Sequence, residues 1–326
     1  MKKNAKVVVC GGGGFIGGHL VADLLGRGAT VRCVDVKPTS GWYQVHAGAE
    51  NIVADLNDKS AAFAAVKGCD TVINLACNMG GMGFIENNKG LCMISVLINT
   101  HLLLAAKEYG VDRFFYASSA CVYNGDKQTS KSTDVFLKEE DAYPAMPEDG
   151  YGWEKLFSER MCRHFREDWK IPTRVARFHN VYGPFGTWNG GREKAPAAIC
   201  RKVIEAKQSG KHEIEIWGDG HQTRSFMYIS DCLKGIYKIT ESETFWEPIN
   251  LGSAEGVTIN QLVDVVEEIA GIKLQRRYNL DAPKGVNGRN SDNTLMKKTF
   301  GWEPDTRLRD GMEKTYRWIH DQMTAK

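Results

Sequence analysis

Two side chains in this sequence, a thiol and an amine, stand in runs suited to proton chemistry. Cys121 lies in the run Ser118-Ser119-Ala120-Cys121-Val122-Tyr123, and Lys194 is at the centre of Gly190-Gly191-Arg192-Glu193-Lys194-Ala195-Pro196-Ala197-Ala198. Each can have its pKa drawn toward neutrality by its surroundings. Set across one ring, they could remove and return carbon-bound protons on opposite faces. A second pair, Tyr151 and Lys155, has the spacing YxxxK. Four residues in a helix place both side chains on one face, where the ammonium favours the phenolate and makes it a usable base for a hydroxyl. Ser118 and Ser119 end a short apolar run and could hydrogen-bond that same hydroxyl. Each feature alone has a plainer reading. A lone cysteine is usually a small core residue, a lone lysine is a surface charge, and YxxxK is a solvated helix face.

Such groups need elements to position them. Residues 5–10 read as a valine-rich buried strand, followed by four glycines and then a helical pattern over 15–25 that opens with Phe15 and Ile16. Gly11, Gly14 and Gly17 lie three apart between strand and helix, where the chain must turn tightly and approach a pyrophosphate closely. Asp35 ends the second strand about twenty residues on, placed to accept ribose hydroxyls. A carboxylate there disfavours a 2′-phosphate, so the expected cofactor is NAD rather than NADP. Asp55 and Leu56, after a third strand, are expected at the adenine edge. Further strands at 71–75, 113–117 and 173–178 alternate with helices at 91–109 and 151–167. The fold class expected is α/β, a Rossmann-type doubly wound parallel sheet with a smaller α+β C-terminal substrate-binding region. We place the division at 1–178 and 179–326, with some elements crossing back. In the second part, residues 183–191 should be loop, and 195–208, 258–270 and 308–323 helical, with Thr258 an N-cap. Short strands are expected at 213–217, 227–229 and 247–251, and 281–293 reads as polar loop. Met79 and Met82, interleaved with Gly80, Gly81 and Gly83, suit a flexible loop better than a packed helix.

Composition bounds the function. The 326 residues are 42% hydrophobic and 25% charged, enough for an ample core, and the net charge is +2. That balance points to no nucleic-acid partner; a nucleotide needs only a local basic cluster. Nine cysteines without a CxxC pair argue against a disulfide framework or a metal site and for reduced thiols, hence a cytoplasmic protein. The basic start at 1–6 leads into too short an apolar run for a signal peptide, and no eighteen-residue apolar run suggests a membrane span.

The chain resembles the extended short-chain dehydrogenase/reductases that act on nucleotide sugars, over roughly 7–323. The run GGGGFIGGHL is similar to their glycine fingerprint, RFHNVYGP to the segment in which an asparagine, here Asn180, contacts the sugar diphosphate, and WGDGHQTRSFMYISD to their nucleotide loop. MGGMGFI, SSACVY, GGREKAPAA and GRNSDN narrow the resemblance to members that epimerise a GDP-hexose at two ring carbons through transient oxidation at C4. The resemblance implies Tyr151 and Lys155 for C4 chemistry, with Ser119 as donor, and Cys121 and Lys194 as the acid and base pair. It implies substrate contacts from Gly80, Met82, Asn180, Lys202, Trp217, Arg224, Arg289 and Ser291, with Arg289 and Ser291 at phosphate or sugar. It implies a tightly bound NAD and a homodimer joined through a four-helix bundle by the helices at 91–109 and 151–167. His179, beside Asn180, is read as a structural hydrogen-bonding residue, with a general-acid role as the alternative. Asn78 stands where the family typically shows an acidic residue, and Cys77 where alanine is expected. A 4,6-dehydratase is disfavoured by the missing Asp-Glu pair. A 4-epimerase, an epimerase for a different sugar or base, or a non-catalytic NAD-binding protein are the other readings.

Overall fold

The computed structural model describes residues 5–133 and 135–325; residues 1–4 of the basic start lie outside them. In chain order the strands are β1 (Lys6–Cys10), β2 (Thr30–Asp35), β3 (Glu50–Val53), β4 (Thr71–Asn74), β5 (Arg113–Ser119), β6 (Phe136–Leu137), β7 (Thr173–Phe178), β8 (Val181–Tyr182), β9 (Glu213–Trp217), β10 (Thr223–Ser225), β11 (Met227–Tyr228), β12 (Ile249–Leu251), β13 (Gly256–Thr258), β14 (Gln275–Asn279) and β15 (Gly288–Ser291). The helices are α1 (Phe15–Gly26), α2 (Lys59–Val66), α3 (Met82–Asn87), α4 (Lys89–Ile94), α5 (Val96–Tyr109), α6 (Asp149–Trp169), α7 (Ala195–Ser209), α8 (Ile229–Glu241), α9 (Ile259–Ala270), α10 (Thr294–Phe300) and α11 (Leu308–Thr324).

Seven strands form one sheet in the order β12-β7-β5-β4-β1-β2-β3, with every adjacent pair parallel. Parallel strands buried on both faces require continuous apolar runs. Val7, Val8 and Val9 in β1 and Phe114 and Phe115 in β5 meet that need and are fully buried. The strand order reverses between β1 and β4, the switch point outside whose carboxyl edge such sheets bind ligands. The Gly11 turn, Asp35, Ser119 and His179-Asn180 all follow or end strands at that edge. β12 belongs to this sheet although it comes late in the chain. β6, from the first half, instead joins a four-stranded sheet, β13-β10-β15-β6.

Three expectations need correction. The helix expected over 91–109 is two helices. Ser95 breaks the run: it is buried, and its Oγ accepts the Asn78 N–H at 2.9 Å, tying the break to the segment after β4. Residues 281–293 are not all loop. β15 is a buried strand whose polar residues are satisfied, as where Asn290 Nδ2 donates to Val135 O at 2.9 Å. The Met82 segment opens a short helix, with Gly81 at its N-cap. The Thr258 N-cap is present as a capping box with Gln261. Residues 89–109 are apolar enough by composition to cross a membrane. The bend at Ser95 divides that stretch into two helices, and α5 packs against α2 and α6.

Candidate active site

The turn after β1 is shaped for close approach. Gly11 takes φ +82°, a left-handed conformation open to glycine. Its N–H and that of Gly12 donate to Val34 O at 2.8 and 3.1 Å. A Cβ on Gly17 would lie 2.2 Å from Gly11 O, so α1 can pack against its own turn only with glycine there. Gly14 caps α1 without any side-chain bond, leaving the first-turn amides of Phe15 and Ile16 at a bare helix N-terminus. Asp35 lies beside this turn and accepts the Lys37 N–H at 3.0 Å. Asp55, exposed after β3, accepts from Asn57, and Leu56 beneath it is buried. Two residues not singled out from the sequence complete the cradle. Lys37 Nζ donates to Gly13 O at 2.8 Å, and the buried Trp42 lies where a Gly13 side chain would go. A glycine turn, a bare helix end and a carboxylate at the second strand fit an NAD pyrophosphate and ribose.

Tyr151 and Lys155 extend from α6 beneath the end of β5. Tyr151 is buried in a cluster with Ile85, Cys92 and Cys121, edged by Cys77, Met79 and Phe84. Lys155 Nζ donates to Ala117 O at 3.1 Å and lies 3.6 Å from Glu154. Burial pushes the Tyr151 phenol well up, as do Cys77, Cys121 and Glu154, while a Ser119 hydrogen bond opposes them. Burial works against the Lys155 charge, but Cys77 and Glu154 more than offset it, and its pKa is raised. Lys155 therefore stays an ammonium beside a phenol that needs positive charge to ionise.

Of the two serines, only Ser119 belongs to the site, where its Oγ accepts the Cys121 N–H at 3.2 Å. Successive strand residues point to opposite faces. Ser118 consequently turns away and donates to Glu159 at 2.5 Å, behind the buried Arg177–Glu159 pair. Burial pushes the Cys121 thiol up; Arg289, Ser119 and Lys194 pull it down and Glu148 raises it. Lys194 is the N-cap residue of α7. Burial lowers its pKa, while Cys121 and Cys77 raise it. Cys121 and Lys194 are thus each within the influence of the other's charge. The turn before Lys194 is pinned by Glu193, which accepts from Gly191 N at 2.7 Å and from Arg201. The glycine segment closes against this turn: Gly81 N donates to Arg192 O at 3.1 Å, and a Cβ on Gly81 would lie 2.5 Å from Glu193 O. Gly80 is buried against Phe84.

His179 is fully enclosed, bonded through Nε2 to Asn250 Oδ1 at 3.1 Å, and burial pushes its pKa down to about 3. Its burial and its bond to Asn250 support the reading of a structural hydrogen-bonding residue. Asn180 stays partly open at the strand end, with Nδ2 reaching Ser225 O at 3.4 Å. Arg224 is held by the carbonyls of Thr223, Lys284 and Val286, and its pKa is lowered to about 10 by burial and by Arg289. Met82 lies over Gly285, and Trp217, 43% exposed, faces Gly83. That exposure puts Trp217 at the surface rather than in the core. Lys202 donates to Glu215 O at 2.9 Å, with its Nζ 5.7 Å from the Trp217 ring centre.

Ser291 departs from the contact expected of it, whereas Arg289 stands in the site beside Cys121. Ser291 is enclosed, and its hydroxyl donates to Asn293 at 2.8 Å, bracing β15. Arg289 donates from each of its three nitrogens inside the protein: Nη1 to Cys121 Sγ at 3.2 Å, Nη2 to Glu148 at 2.6 Å and Nε to Gln128 at 2.6 Å. Glu148 and Gln128 were not legible as site residues, because neither lies in a motif.

A cofactor cradle at the switch point, with a Tyr-Lys pair and a facing thiol and amine, defines a nucleotide-dependent sugar-modifying enzyme of the NAD-using type. The model of the NAD dependent epimerase/dehydratase family matches residues 7–252, and the chain belongs to that family. It is 44% identical over 322 residues to a GDP-mannose 3,5-epimerase of Arabidopsis thaliana, covering 98% of this chain and 84% of the relative. Its fold matches a UDP-glucose 4-epimerase of Thermotoga maritima solved with UDP-glucose, at TM-score 0.84 and 23% identity over 98% of this chain and 99% of the other. It also matches a UDP-glucuronic acid 4-epimerase of Bacillus cereus solved with NAD, at TM-score 0.80 and 25% identity over 97% and 96%.

Proposed function

We propose that the chain epimerises GDP-mannose at C3 and C5, giving the L-galactose and L-gulose nucleotides. One observation carries the reading: Cys121 packs with Tyr151 and lies within the influence of the Lys194 charge, a pairing that a C4 epimerase does not need. Tyr151 takes the proton of the C4 hydroxyl, with Lys155 supplying positive charge and Ser119 a hydrogen bond. The Gly11–Gly17 turn, Asp35 and Lys155 would hold NAD, which when bound would supply reversible oxidation at C4, and a ketone there would acidify the C–H bonds on both sides. Cys121 and Lys194 then exchange protons with C3 and C5, one as base and the other as acid. Burial favours this in Lys194 by holding the amine below its ordinary range. Ser119 and Tyr151 hydrogen-bond the ketone oxygen as enolate charge develops. Arg224 and Asn180 face the diphosphate, with Lys202 and Trp217 at the nucleotide end. The likeness to the Arabidopsis relative supports the GDP-hexose.

The same reading includes a homodimer. α4 and α5 present Leu91, Met93, Ile94 and Leu97 to solvent, and α6 presents Trp153 and Phe157, the latter 58% exposed. Apolar side chains at this density on neighbouring helices suit an isologous four-helix interface. Nine free thiols suit a reducing, cytoplasmic setting.

The test is product analysis. Purified protein is incubated with GDP-mannose, and the released hexoses are separated against galactose and gulose standards. Both sugars are expected. Conversion of UDP-glucose to UDP-galactose, with GDP-mannose untouched, would replace this reading with a 4-epimerase.

A further inference from the structure

The Cys121 thiol is not alone with its cation. Arg289, from β15, lies between two acceptors, with Nη1 3.2 Å from Cys121 Sγ and Nη2 2.6 Å from Glu148 Oε2. Its Nε is taken by Gln128 at 2.6 Å, so the plane of the guanidinium is fixed on three sides. Both charged partners are well shielded, with side chains 7% and 13% exposed. Glu148 is also tied to the cysteine through the backbone: its N–H donates to Cys121 O at 3.1 Å. It is the N-cap residue of α6, yet its side chain makes no cap bond and is turned to Arg289 instead. A carboxylate directed away from a bare helix N-terminus and onto a buried guanidinium has a task there beyond helix capping.

We propose that Glu148 is a positioning residue of the epimerisation: it holds Arg289 in the gap between its own carboxylate and Cys121 Sγ, so that the guanidinium is shared between two anions and the proton affinity of Cys121 is set between extremes. This rests on the reading of Cys121 as an acid and base partner. In each turnover Cys121 must take a proton and give one up. A thiolate paired one-to-one with a buried arginine would be a weak base, and one without a cation would not form. Sharing the guanidinium with a carboxylate avoids both limits. The other charged or titratable groups around Cys121 are Lys194 at the start of α7, Tyr151 on α6, Cys92 on α4, Cys77 after β4 and Arg224 on β10. None of these groups is a carboxylate, and Glu148 is the carboxylate whose charge reaches Cys121. Arg289 lowers the thiol's pKa and Glu148 raises it. Removing the Glu148 charge must therefore shift Cys121 to lower pH.

The test uses the NAD-bound protein and two variants, Glu148→Gln and Glu148→Asp. Alkylation of Cys121 by iodoacetamide is followed against pH by peptide-resolved mass spectrometry, which separates it from Cys77. In Glu148→Gln, which keeps the side-chain shape and a hydrogen bond to Arg289, the midpoint is expected about one unit lower. The acidic limb of ring-proton exchange with GDP-mannose should move by the same amount. Glu148→Asp, which keeps the charge, should stay close to wild type. A purely structural role would leave the midpoint unmoved in a folded Glu148→Gln protein, or would shift both variants alike, and either result overturns the proposal. Alkylation needs no substrate. A Glu148→Gln shift in a protein that does not act on GDP-mannose would support the proposal while overturning the substrate assignment.

Discussion

Gly17→Ala probes the cofactor cradle with a single methyl group. The added Cβ would lie 2.2 Å from Gly11 O, 2.7 Å from Gly12 Cα and 2.9 Å from Gly11 C. All three atoms are backbone, so no side chain can swing aside. To reach van der Waals separation the turn must withdraw from α1 by about 1 Å. Overpacking of this kind costs about 1–3 kcal/mol. The turn is the surface that meets the pyrophosphate, so the strain falls on cofactor binding. At 1.4 kcal/mol per tenfold, NAD affinity should fall roughly 5- to 150-fold. Gly14→Ala is the control: its Cβ meets only Gly11 O, at 3.1 Å, and its φ is −85°. It should lose far less. The assay is calorimetric titration of NAD into cofactor-stripped protein, alongside the NAD content of each variant as purified. Wild-type affinity in a folded Gly17→Ala protein would refute the view that this turn approaches the pyrophosphate.

Three further outcomes follow from the geometry. Cys121→Ser and Lys194→Met should keep NAD binding but lose ring-proton exchange by about 10²–10⁴-fold, measured as deuterium incorporation by mass spectrometry. His179 is held neutral, with a pKa near 3 against an ordinary 6.5, so the unfolded chain binds the extra proton first as pH falls. Stability should decline from pH 6.5 toward 3, by about 2 kcal/mol at pH 5, and His179→Gln should flatten that part of the denaturation profile. Phe157→Glu places a charge on the exposed apolar face of α6 and should shift the protein to monomer in analytical ultracentrifugation.

The cradle was legible in the sequence because its logic is local. Strand, glycine turn, helix and Asp35 fall within thirty residues, and each type answers a steric or hydrogen-bonding need that can be read in order. Tyr151 and Lys155 were legible for the same reason, one helical turn apart. The environment of Cys121 was not. Arg289 reaches it across 168 residues, through a strand that pairs with β10 and β6 and whose residues, Gly-Arg-Asn-Ser, are all polar. Such a strand shows no apolar alternation, since it is stabilised inside the protein by hydrogen bonds rather than by an apolar face. Ser118 was misplaced because adjacency in sequence hides the alternation of a strand that runs on to Ser119. The break at Ser95 was hidden because an apolar helical pattern continues on both sides of it.

The most direct test of the account is proton NMR of GDP-mannose with the purified protein in D₂O, with no NAD added. Loss of the H3 and H5 signals, with new L-hexose resonances, is the predicted result and would show carbon-acid chemistry at both centres with a resident cofactor. Retention of both signals, in a folded protein that still carries NAD, would contradict it.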